Sequence, residues 1–279
     1  MSGERLRLAQ FSDIHCGHIT FDGDLLDHAL DEIIDARPDL VVMAGDLTAE
    51  GYAPQFRQAK RYLDRVTEAG LELLVIPGNH DLMNVGFLHF RDNFGKADRV
   101  MRLPFQSSES QPQRYATVVS VNSSKPDLAD GEIGHTRYDW IRQSFEWPDD
   151  YRVFVLHHHL ISVPGTGRER NIVWDAGDIL ALLTELDVDL VLSGHKHVPN
   201  VWQFGDMLLV NSGTAASYRV RGYTRPSYNL IEVTDEKVRI VQRYPGLGEI
   251  VAANYQRNER RLTMNPQLAG MFNRGAWNV

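Results

Sequence analysis

Histidine, carboxylate and amide side chains in this 279-residue chain occur in short groups, and each group follows an apolar run. In VIPGNHDLM (75–83) the apolar residues end at Ile76, and Asn79, His80 and Asp81 follow after one proline and one glycine. Four other apolar runs are followed by similar residues, namely Asp13 and His15, Asp46, the triplet His157, His158 and His159, and His195 and His197. Imidazole, carboxylate and amide ligands without a thiolate cluster suit divalent metals such as Mn, Fe, Zn or Co. The residue types therefore predict a metal site.

These groups hold more ligands than one catalytic ion with an open coordination position needs. Two ions that share one carboxylate would use them all. A pair of ions roughly 3.5–4 Å apart is the usual device for in-line displacement at phosphorus, where it neutralises developing charge and activates a water. The residue types and their number therefore favour a phosphoryl-transfer or phosphohydrolase site.

The elements that must bring these groups together alternate along the chain. Apolar runs such as LRLAQFSD, DLVVMAGD and LELLVIPG predict buried strands, and apolar residues at helical spacing predict helices over 24–36 and 54–69. Strand–helix–strand repetition predicts parallel pairing, and the carboxyl ends of parallel strands share one edge of a sheet. Glycines precede Asp46, Asn79 and His195, where a strand must turn sharply or the backbone must approach closely.

The chain is predicted to divide into a catalytic domain over 1–245 and a C-terminal extension over 246–279. DMLLVNSG and YNLIEVTDEKVRIVQ indicate an antiparallel finish to the domain, the second with a turn at Asp235–Glu236. After Pro245 the chain is rich in Asn and Arg. The extension is expected to pack on the domain, to clasp a partner or to stay mobile.

Composition excludes some classes of protein. Hydrophobic residues make up 43% and charged residues 24%, which is typical of a soluble globular chain. The net charge of −8 argues against a protein whose main task is gripping a nucleic-acid polymer. A single cysteine, Cys16, allows no internal disulfide. We also see no signal-peptide or membrane-span pattern, so we expect a cytoplasmic protein without membrane contact.

The complete set of motifs resembles the calcineurin-like metallophosphoesterase superfamily over roughly residues 5–240. The motifs are D-x-H, G-D, G-N-H-D, a histidine at a strand end and G-H-x-H, and they occur here in the family order. One motif alone is weak, but all five in order are specific. The resemblance implies an α/β fold, a four-layer α/β/β/α sandwich of two mixed sheets flanked by helices.

Within the superfamily the chain looks most like small bacterial cyclic-nucleotide and glycerophosphodiester phosphodiesterases. Its length, the triple histidine and the QFSDIH opening fit that branch. The protein serine/threonine phosphatases carry G-D-x-x-D-R-G where this chain has GDLTAEG. The related Mre11-like nucleases are longer and carry capping regions for which this chain has little room.

The resemblance also implies roles for individual residues. One metal ion would be bound by Asp13, His15 and His197 and the second by Asn79, His157 and His195, with Asp46 bridging the two. A metal-bridging hydroxide would be the nucleophile. His80 would stabilise the phosphoryl oxygens and protonate the leaving alkoxide, with a purely structural role as the alternative. Asp81 would orient His80 through a hydrogen bond.

Two assignments keep alternatives open. His157 is chosen as the ligand of its triplet because it lies at the strand end; alternation turns His158 away and leaves His159 as the second candidate. The loop 164–170 is either a lid whose Arg168 or Arg170 meets the substrate or an exposed charged loop, and Arg219, Arg221 and Arg225 pose the same question. His18 either lines the entrance or is solvated.

The predicted function is a dinuclear metal-dependent phosphohydrolase that uses two divalent ions, Mn, Fe or Zn. The favoured activity is hydrolysis of small phosphodiesters such as cyclic nucleotides or glycerophosphodiesters. The alternatives are a phosphomonoesterase, a nucleotide or lipid pyrophosphohydrolase, a nuclease and a non-enzymatic scaffold. A small phosphoester is the expected partner, and a homodimer is an open possibility.

Overall fold

A computed structural model describes residues 5–105, 113–166, 172–218, 220–221, 224–266 and 268. Its strands are, in chain order, β1 (Leu6–Phe11), β2 (Leu40–Ala44), β3 (Leu73–Ile76), β4 (Arg99–Pro104), β5 (Tyr115–Ser120), β6 (Tyr151–Val155), β7 (Leu190–Ser193), β8 (Asn200–Phe204), β9 (Met207–Asn211), β10 (Tyr228–Val233), β11 (Lys237–Tyr244), β12 (Gly248–Gln256) and β13 (Arg261–Met264). Its α-helices are α1 (Gly23–Ala36), α2 (Ala53–Glu68), α3 (Gly86–Phe94), α4 (Tyr138–Ser144) and α5 (Ala176–Glu185). Single turns of 3₁₀ helix span His80–Leu82 and His135–Arg137.

The strands form two mixed sheets. The first has the order β13-β12-β11-β10-β1-β2-β3, with β1, β2 and β3 parallel and the others joined antiparallel. The second has the order β4-β5-β6-β7-β9-β8, with β5, β6, β7 and β9 parallel and an antiparallel strand at each edge. The parallel strands of both sheets are joined by crossovers, as the alternating sequence pattern predicts.

Three apolar layers hold the sheets and helices together. Side chains such as Val42 and Val153 fill the layer between the two sheets. Leu30 and Phe56 pack helices α1 and α2 on the first sheet, and Ile179 packs α5 on the second. The result is a four-layer α/β/β/α sandwich, and the expected fold class is confirmed.

Helix α1 shows how the sequence sets an element. The Asp22 side chain accepts a hydrogen bond from the backbone N–H of Leu25 at 3.0 Å, which caps the helix start. Leu26, Leu30 and Ile33 recur at helical spacing and are fully buried. Arg37 adopts a left-handed conformation with φ of 48° and ends the helix. The helix predicted over 24–36 is therefore found one residue longer.

One part of the sequence interpretation needs correction, and one open alternative is decided. Strand β9, MLLVN, is not part of an antiparallel finish but pairs parallel with β7 and forms a hairpin with β8. The chain after Pro245 continues the first sheet through β12 and β13, so packing on the domain is the outcome for this part of the extension. The division at 245 itself stays a prediction. The hairpin of β10 and β11 turns at Asp235–Glu236 as expected. Each helix among the described residues is too short or too polar to span a bilayer.

Candidate metal centre

The carboxyl ends of five parallel strands, three from the first sheet and two from the second, meet at one place. The loops after β1, β2, β3, β6 and β7 carry all the predicted ligands, and each of these side chains is buried. They are Asp13, His15, Asp46, Asn79, His157, His195 and His197. The structure therefore brings every residue of the predicted ligand set together.

Backbone strain is concentrated at these same residues. Five non-glycine residues of the set have positive φ angles between 48° and 77°, namely Asp13, His15, Asp46, His195 and His197. A non-glycine residue in this region costs of order 1–3 kcal/mol and persists only where its surroundings hold it. Backbone hydrogen bonds hold it here: Asp13 N–H donates to the Gly45 carbonyl at 2.9 Å and His15 N–H donates to the Asp46 carbonyl at 3.0 Å.

Two glycines are required by close approach. A Cβ on Gly45, whose φ is +89°, would overlap the His157 ring, and a Cβ on Gly78 would overlap the Asp46 carboxylate. Any side chain at these positions would push ligands apart, so the glycines that precede Asp46 and Asn79 shape the site.

The first ligand group contains Asp13, His15 and His197, whose donor atoms all lie within 4.8 Å of one another. The Nε2 atoms of His15 and His197 are 3.0 Å apart, and Oδ1 of Asp13 lies 3.4 Å from His197 Nε2. This is the set expected for one ion.

The second group contains Asp46, His157 and His195, again with donor atoms within 4.8 Å. Oδ1 of Asn79 lies 3.0 Å from His195 Nδ1 and 3.3 Å from His157 Nε2. This group, with Asn79, is the set expected for the other ion.

Asp46 lies between the two groups. Its Oδ2 atom is 3.7 Å from His15 Nε2 and 3.4 Å from His157 Nε2. Its other oxygen, Oδ1, accepts a hydrogen bond from the backbone N–H of His80 at 2.9 Å. One carboxylate oxygen therefore faces both groups, as a bridging ligand must.

The donor chemistry fits divalent cations. His157 Nδ1 is 2.8 Å from the Ala44 carbonyl, and because a carbonyl only accepts, this nitrogen carries the hydrogen. In the neutral ring His157 Nε2 then directs a lone pair toward Asn79 Oδ1 and Asp46 Oδ2, which are also acceptors. Acceptors that converge in this way need a positive charge between them, which a proton on His157 Nε2 supplies in the ion-free site and a metal cation would supply when bound.

The electrostatics of the site lead to the same conclusion. Burial opposes a charge on His157, yet the Asp46 carboxylate outweighs it and raises the pKa of His157 to about 9. Burial likewise opposes a charge on Asp46, but His157 holds the pKa of this carboxyl well below its usual range. Burial lowers the pKa of His15 to about 3 and keeps it neutral. Without an ion, the proton on His157 is therefore the counter-charge of the Asp46 carboxylate, and a bound metal cation would replace that proton.

The three histidine rings of the triplet His157, His158 and His159 have different surroundings. His157 faces the second ligand group, whereas His158 faces away: its Nδ1 is 2.9 Å from Ser123 Oγ and its Nε2 is 3.1 Å from the Ala129 carbonyl. The His159 ring stacks on His195 with 5.7 Å between centroids. The choice of His157 as the ligand stays a prediction, and this geometry supports it.

The predicted partnership of Asp81 with His80 is wrong. His80 Nδ1 is 2.7 Å from the Ala49 carbonyl, so that carbonyl orients the ring. The Asp81 carboxylate accepts hydrogen bonds from the backbone N–H groups of Leu47, Thr48 and Gly78 and from the Thr48 hydroxyl, at 2.7–3.0 Å. Asp81 is fully buried and points at the backbone of the loop after β2, because unpaired N–H groups there need an acceptor.

Sequence reasoning missed the groups that position the ligands. The Ser12 hydroxyl donates to Asp13 Oδ2, and the backbone N–H of His195 donates to the same oxygen at 3.0 Å. Asp13 therefore keeps Oδ1 for the site. A serine next to a predicted ligand is a usable sequence pattern, whereas the contribution of the Ala49 carbonyl has no residue-type signature.

The remaining candidates are exposed, half-buried or outside the described residues. Arg168, Arg170 and Arg219 lie outside the described residues. Arg221 and Arg225 are exposed. His18 is half-buried with its ring 6.4 Å from that of His15, and its Nδ1 is 2.9 Å from Thr20 Oγ1.

Comparison with known proteins places this geometry in a family. The sequence profile of the calcineurin-like phosphoesterases matches residues 6–199. The chain is 28% identical over 187 residues to a probable cyclic nucleotide phosphodiesterase of Psychrobacter sp. (strain PRwf-1), an alignment that covers 62% of this chain and 50% of the relative. It is 27% identical over 176 residues to the glycerophosphodiester phosphodiesterase GpdQ of Enterobacter lignolyticus (strain SCF1), covering 60% of this chain and 59% of the relative.

The chain spans about half the length of the curated relatives it matches. Among solved structures, a dimetal phosphatase from Danio rerio superposes with a TM-score of 0.62 at 11% identity, covering 88% of this chain and 98% of that one, which supports the fold. Since the profile match spans five strand-end motifs and the fold agrees, the chain belongs to the calcineurin-like phosphoesterase family, whose members use a dinuclear metal centre.

Proposed function

We propose that this chain hydrolyses small phosphodiesters, such as cyclic nucleotides or glycerophosphodiesters, with two divalent metal ions. The observation that carries the proposal is the position of Asp46, one oxygen of which faces both ligand groups. A single mononuclear site would not need a carboxylate in that position.

The residues would divide as the two groups suggest. Asp13, His15 and His197 would hold one ion, Asn79, His157 and His195 the other, and Asp46 both. When bound, such a pair supplies positive charge for the phosphoryl oxygens and an activated water. The donor set accepts Mn, Fe or Zn, so the metal is identified by measurement rather than by ligand type.

His80 is placed to act as the general acid. Its ring lies 4.7 Å from the His15 ring and is only half-buried, so it reaches both the centre and a bound substrate. Because Nδ1 donates to the Ala49 carbonyl, Nε2 is the nitrogen left to hand a proton to the leaving alkoxide. The backbone N–H of His80 also fixes Asp46, which ties the position of the acid to that of the bridging carboxylate.

Support for a diester substrate comes from the relatives, whose names state cyclic nucleotide and glycerophosphodiester activity. That the physiological substrate is one of these diesters, that the protein is cytoplasmic and that it forms a homodimer are further proposals.

The test compares an aryl phosphodiester, bis(p-nitrophenyl) phosphate, with the matching monoester on one preparation of protein. The protein is stripped with a chelator and then supplied with Mn, Fe or Zn, and bound metal is counted by mass spectrometry. Metal-restored activity that favours the diester is the expected result. Activity confined to the monoester would move the function to phosphatase. A chain that binds no metal and hydrolyses neither ester would be a scaffold.

A further inference from the structure

A cavity lies beside the metal centre and contains none of its ligands. It has a volume of about 750 Å³ and is bounded by helix α3, the turn before β4 and the segments at 122–126 and 132–137. We call it the α3 cavity. Its volume falls within the usual range of small-molecule sites. Pro77 and Leu82, which flank the segment carrying Asn79 and His80, form part of its wall.

The walls of the α3 cavity carry an excess of positive charge. Two carboxylates, Asp98 and Glu132, line it, and each is already paired: Asp98 with Arg137 at 3.6 Å, and Glu132 with Lys125. Asp98 also accepts a hydrogen bond from the backbone N–H of Asn122 at 2.7 Å.

Two further cations, Arg91 and Lys96, line the same cavity. Both are exposed, and neither has a carboxylate partner among the described residues. The lining therefore carries two positive charges more than negative ones, on a chain whose net charge is −8. It favours an anionic ligand.

The floor of the α3 cavity is apolar. Leu82, Phe90 and Ile133 are 3–4% exposed there, and Phe87 is 45% exposed at the mouth. An inorganic anion would leave this surface unused. An organic anion with an aromatic or aliphatic body would cover the floor and place its charged group at Arg91 and Lys96.

We propose that the α3 cavity binds a small organic anion, a carboxylate or a phosphate with an apolar body, at a site separate from the metal centre. The proposal does not depend on the proposed function, because no metal ligand lines the cavity. A bound ligand would touch Pro77 and Leu82. The backbone N–H of Leu82 in turn donates a hydrogen bond to the Asn79 carbonyl at 3.3 Å. A ligand in the α3 cavity would therefore contact the segment that carries a predicted metal ligand.

The first test measures binding of two fluorescent probes with similar aromatic bodies. The probes are 1-anilinonaphthalene-8-sulfonate, which is anionic, and N-phenyl-1-naphthylamine, which is uncharged. We expect the double variant Arg91→Ala/Lys96→Ala to bind the anionic probe about tenfold more weakly and the uncharged probe unchanged, because removing two exposed cations takes away charge but no apolar floor.

A matched variant, Arg57→Ala/Arg61→Ala on α2, removes the same charge from exposed residues that do not line the cavity. It should bind both probes as the unaltered protein does. If both double variants bound the anionic probe equally weakly, the change in affinity would come from the overall charge of the protein and not from the α3 cavity, which would contradict the proposal. Unchanged affinity of Arg91→Ala/Lys96→Ala for the anionic probe would overturn the proposal.

A second measurement separates the α3 cavity from the metal centre. The anionic probe is titrated into protein loaded with Mn and saturating inorganic phosphate. Retained affinity is the expected result. Displacement by phosphate that occurs with Mn bound but not in chelator-treated protein would place the probe at the metal centre and refute a separate site, whereas displacement in both forms would be competition for Arg91 and Lys96. Displacement by benzoate or by phenyl phosphate then identifies the preferred anionic group.

Discussion

At the scale of single residues, Asp46 determines whether the centre holds one metal ion or two. Its Oδ2 atom faces His15 and His157, and its Oδ1 atom holds the backbone of His80. We expect Asp46→Ala to lose at least one ion per chain, because both ligand groups lose a shared carboxylate. Mass spectrometry of purified protein measures the metal content. Asp64→Ala, which breaks only a surface ion pair with Lys60, is the control. Two ions retained by Asp46→Ala would rule out the bridging role.

His80 should affect turnover without affecting metal content. We expect His80→Ala to slow diester hydrolysis by about 10²–10⁴, the usual contribution of a general acid, with both ions retained. Steady-state kinetics and metal analysis on the same preparation measure the two effects. His28→Ala removes an exposed histidine on α1 and should change neither. Normal turnover in His80→Ala would leave the ring with a structural role only.

Asp81 should affect stability more than chemistry. Its carboxylate accepts three backbone N–H groups and one hydroxyl, so Asp81→Ala leaves several buried donors without an acceptor. We expect the free energy of unfolding to fall by roughly 3–5 kcal/mol in urea titrations. Thr48→Val removes the hydroxyl that donates to Asp81 and accepts from the Gly51 N–H group, and it should cost less, about 1–2 kcal/mol. A loss below that figure in Asp81→Ala would show that water replaces the carboxylate.

At the scale of elements, the sequence predicts best the strands and helices whose apolar residues are periodic or continuous. Strands β1, β2 and β3 are buried on both faces, so their sequences are nearly all apolar. Strand β4 was missed because it is an edge strand whose sequence, RVMRLP, is neither continuously apolar nor alternating and ends in proline. Strand β12, GEIVAANYQ, has only a short apolar run flanked by polar residues, and Ala252, Ala253 and Tyr255 face the core.

The Arg102–Asp150 pair links the edge strand β4 to the start of β6. The guanidinium donates to both carboxylate oxygens at 2.7 and 3.0 Å, and the Thr117 hydroxyl donates at 2.7 Å. Burial opposes the charge on Asp150, yet these hydrogen bonds outweigh it and lower its pKa. A lowered pKa in the folded state gives stability that is present above the unfolded pKa of about 4 and is lost as the pH falls through the folded value.

Asp150→Asn should therefore unfold more easily than the unaltered protein at pH 7, by about 1–2 kcal/mol given the partial exposure of Arg102. The difference should shrink as the pH falls below about 4. Urea titrations at pH 7 and pH 3 measure it, and Asp149→Asn, an exposed neighbour, is the control. A difference that is the same at both pH values would exclude ionisation of Asp150 as its source.

At the scale of the whole molecule, the site exists because two sheets present their carboxyl edges at one place. Strand-end motifs predict that ligands of one parallel sheet converge. That two separate sheets contribute follows from the family resemblance rather than from periodicity, since no local pattern shows that β3 and β6 belong to different sheets. The α3 cavity was also beyond sequence reasoning, because it is formed by segments as far apart as Pro77 and Arg137.

The C-terminal strands supply the final prediction, which concerns the molecule as one folding unit. Ala252, Ala253 and Tyr255 of β12 are at most 5% exposed in the layer between the sheets, and Leu262 and Met264 of β13 pack against that layer. A chain that ends at Pro245 would lose these contacts and expose the edge of β11. We expect this shortened chain to be insoluble or to melt at least roughly 10 °C lower, because losing the core contacts of β12 and β13 lowers the free energy of unfolding by more than about 5 kcal/mol.

Differential scanning calorimetry compares the shortened chain with a chain that ends at Leu268 and with Leu247→Ser, a change in the exposed turn between β11 and β12. If the shortest chain melted with the full-length protein, residues 246–279 would be a dispensable extension, as the division at 245 implies. If only the chain that ends at Pro245 is insoluble or melts at a lower temperature, the domain extends through β13 and its first sheet needs all seven strands.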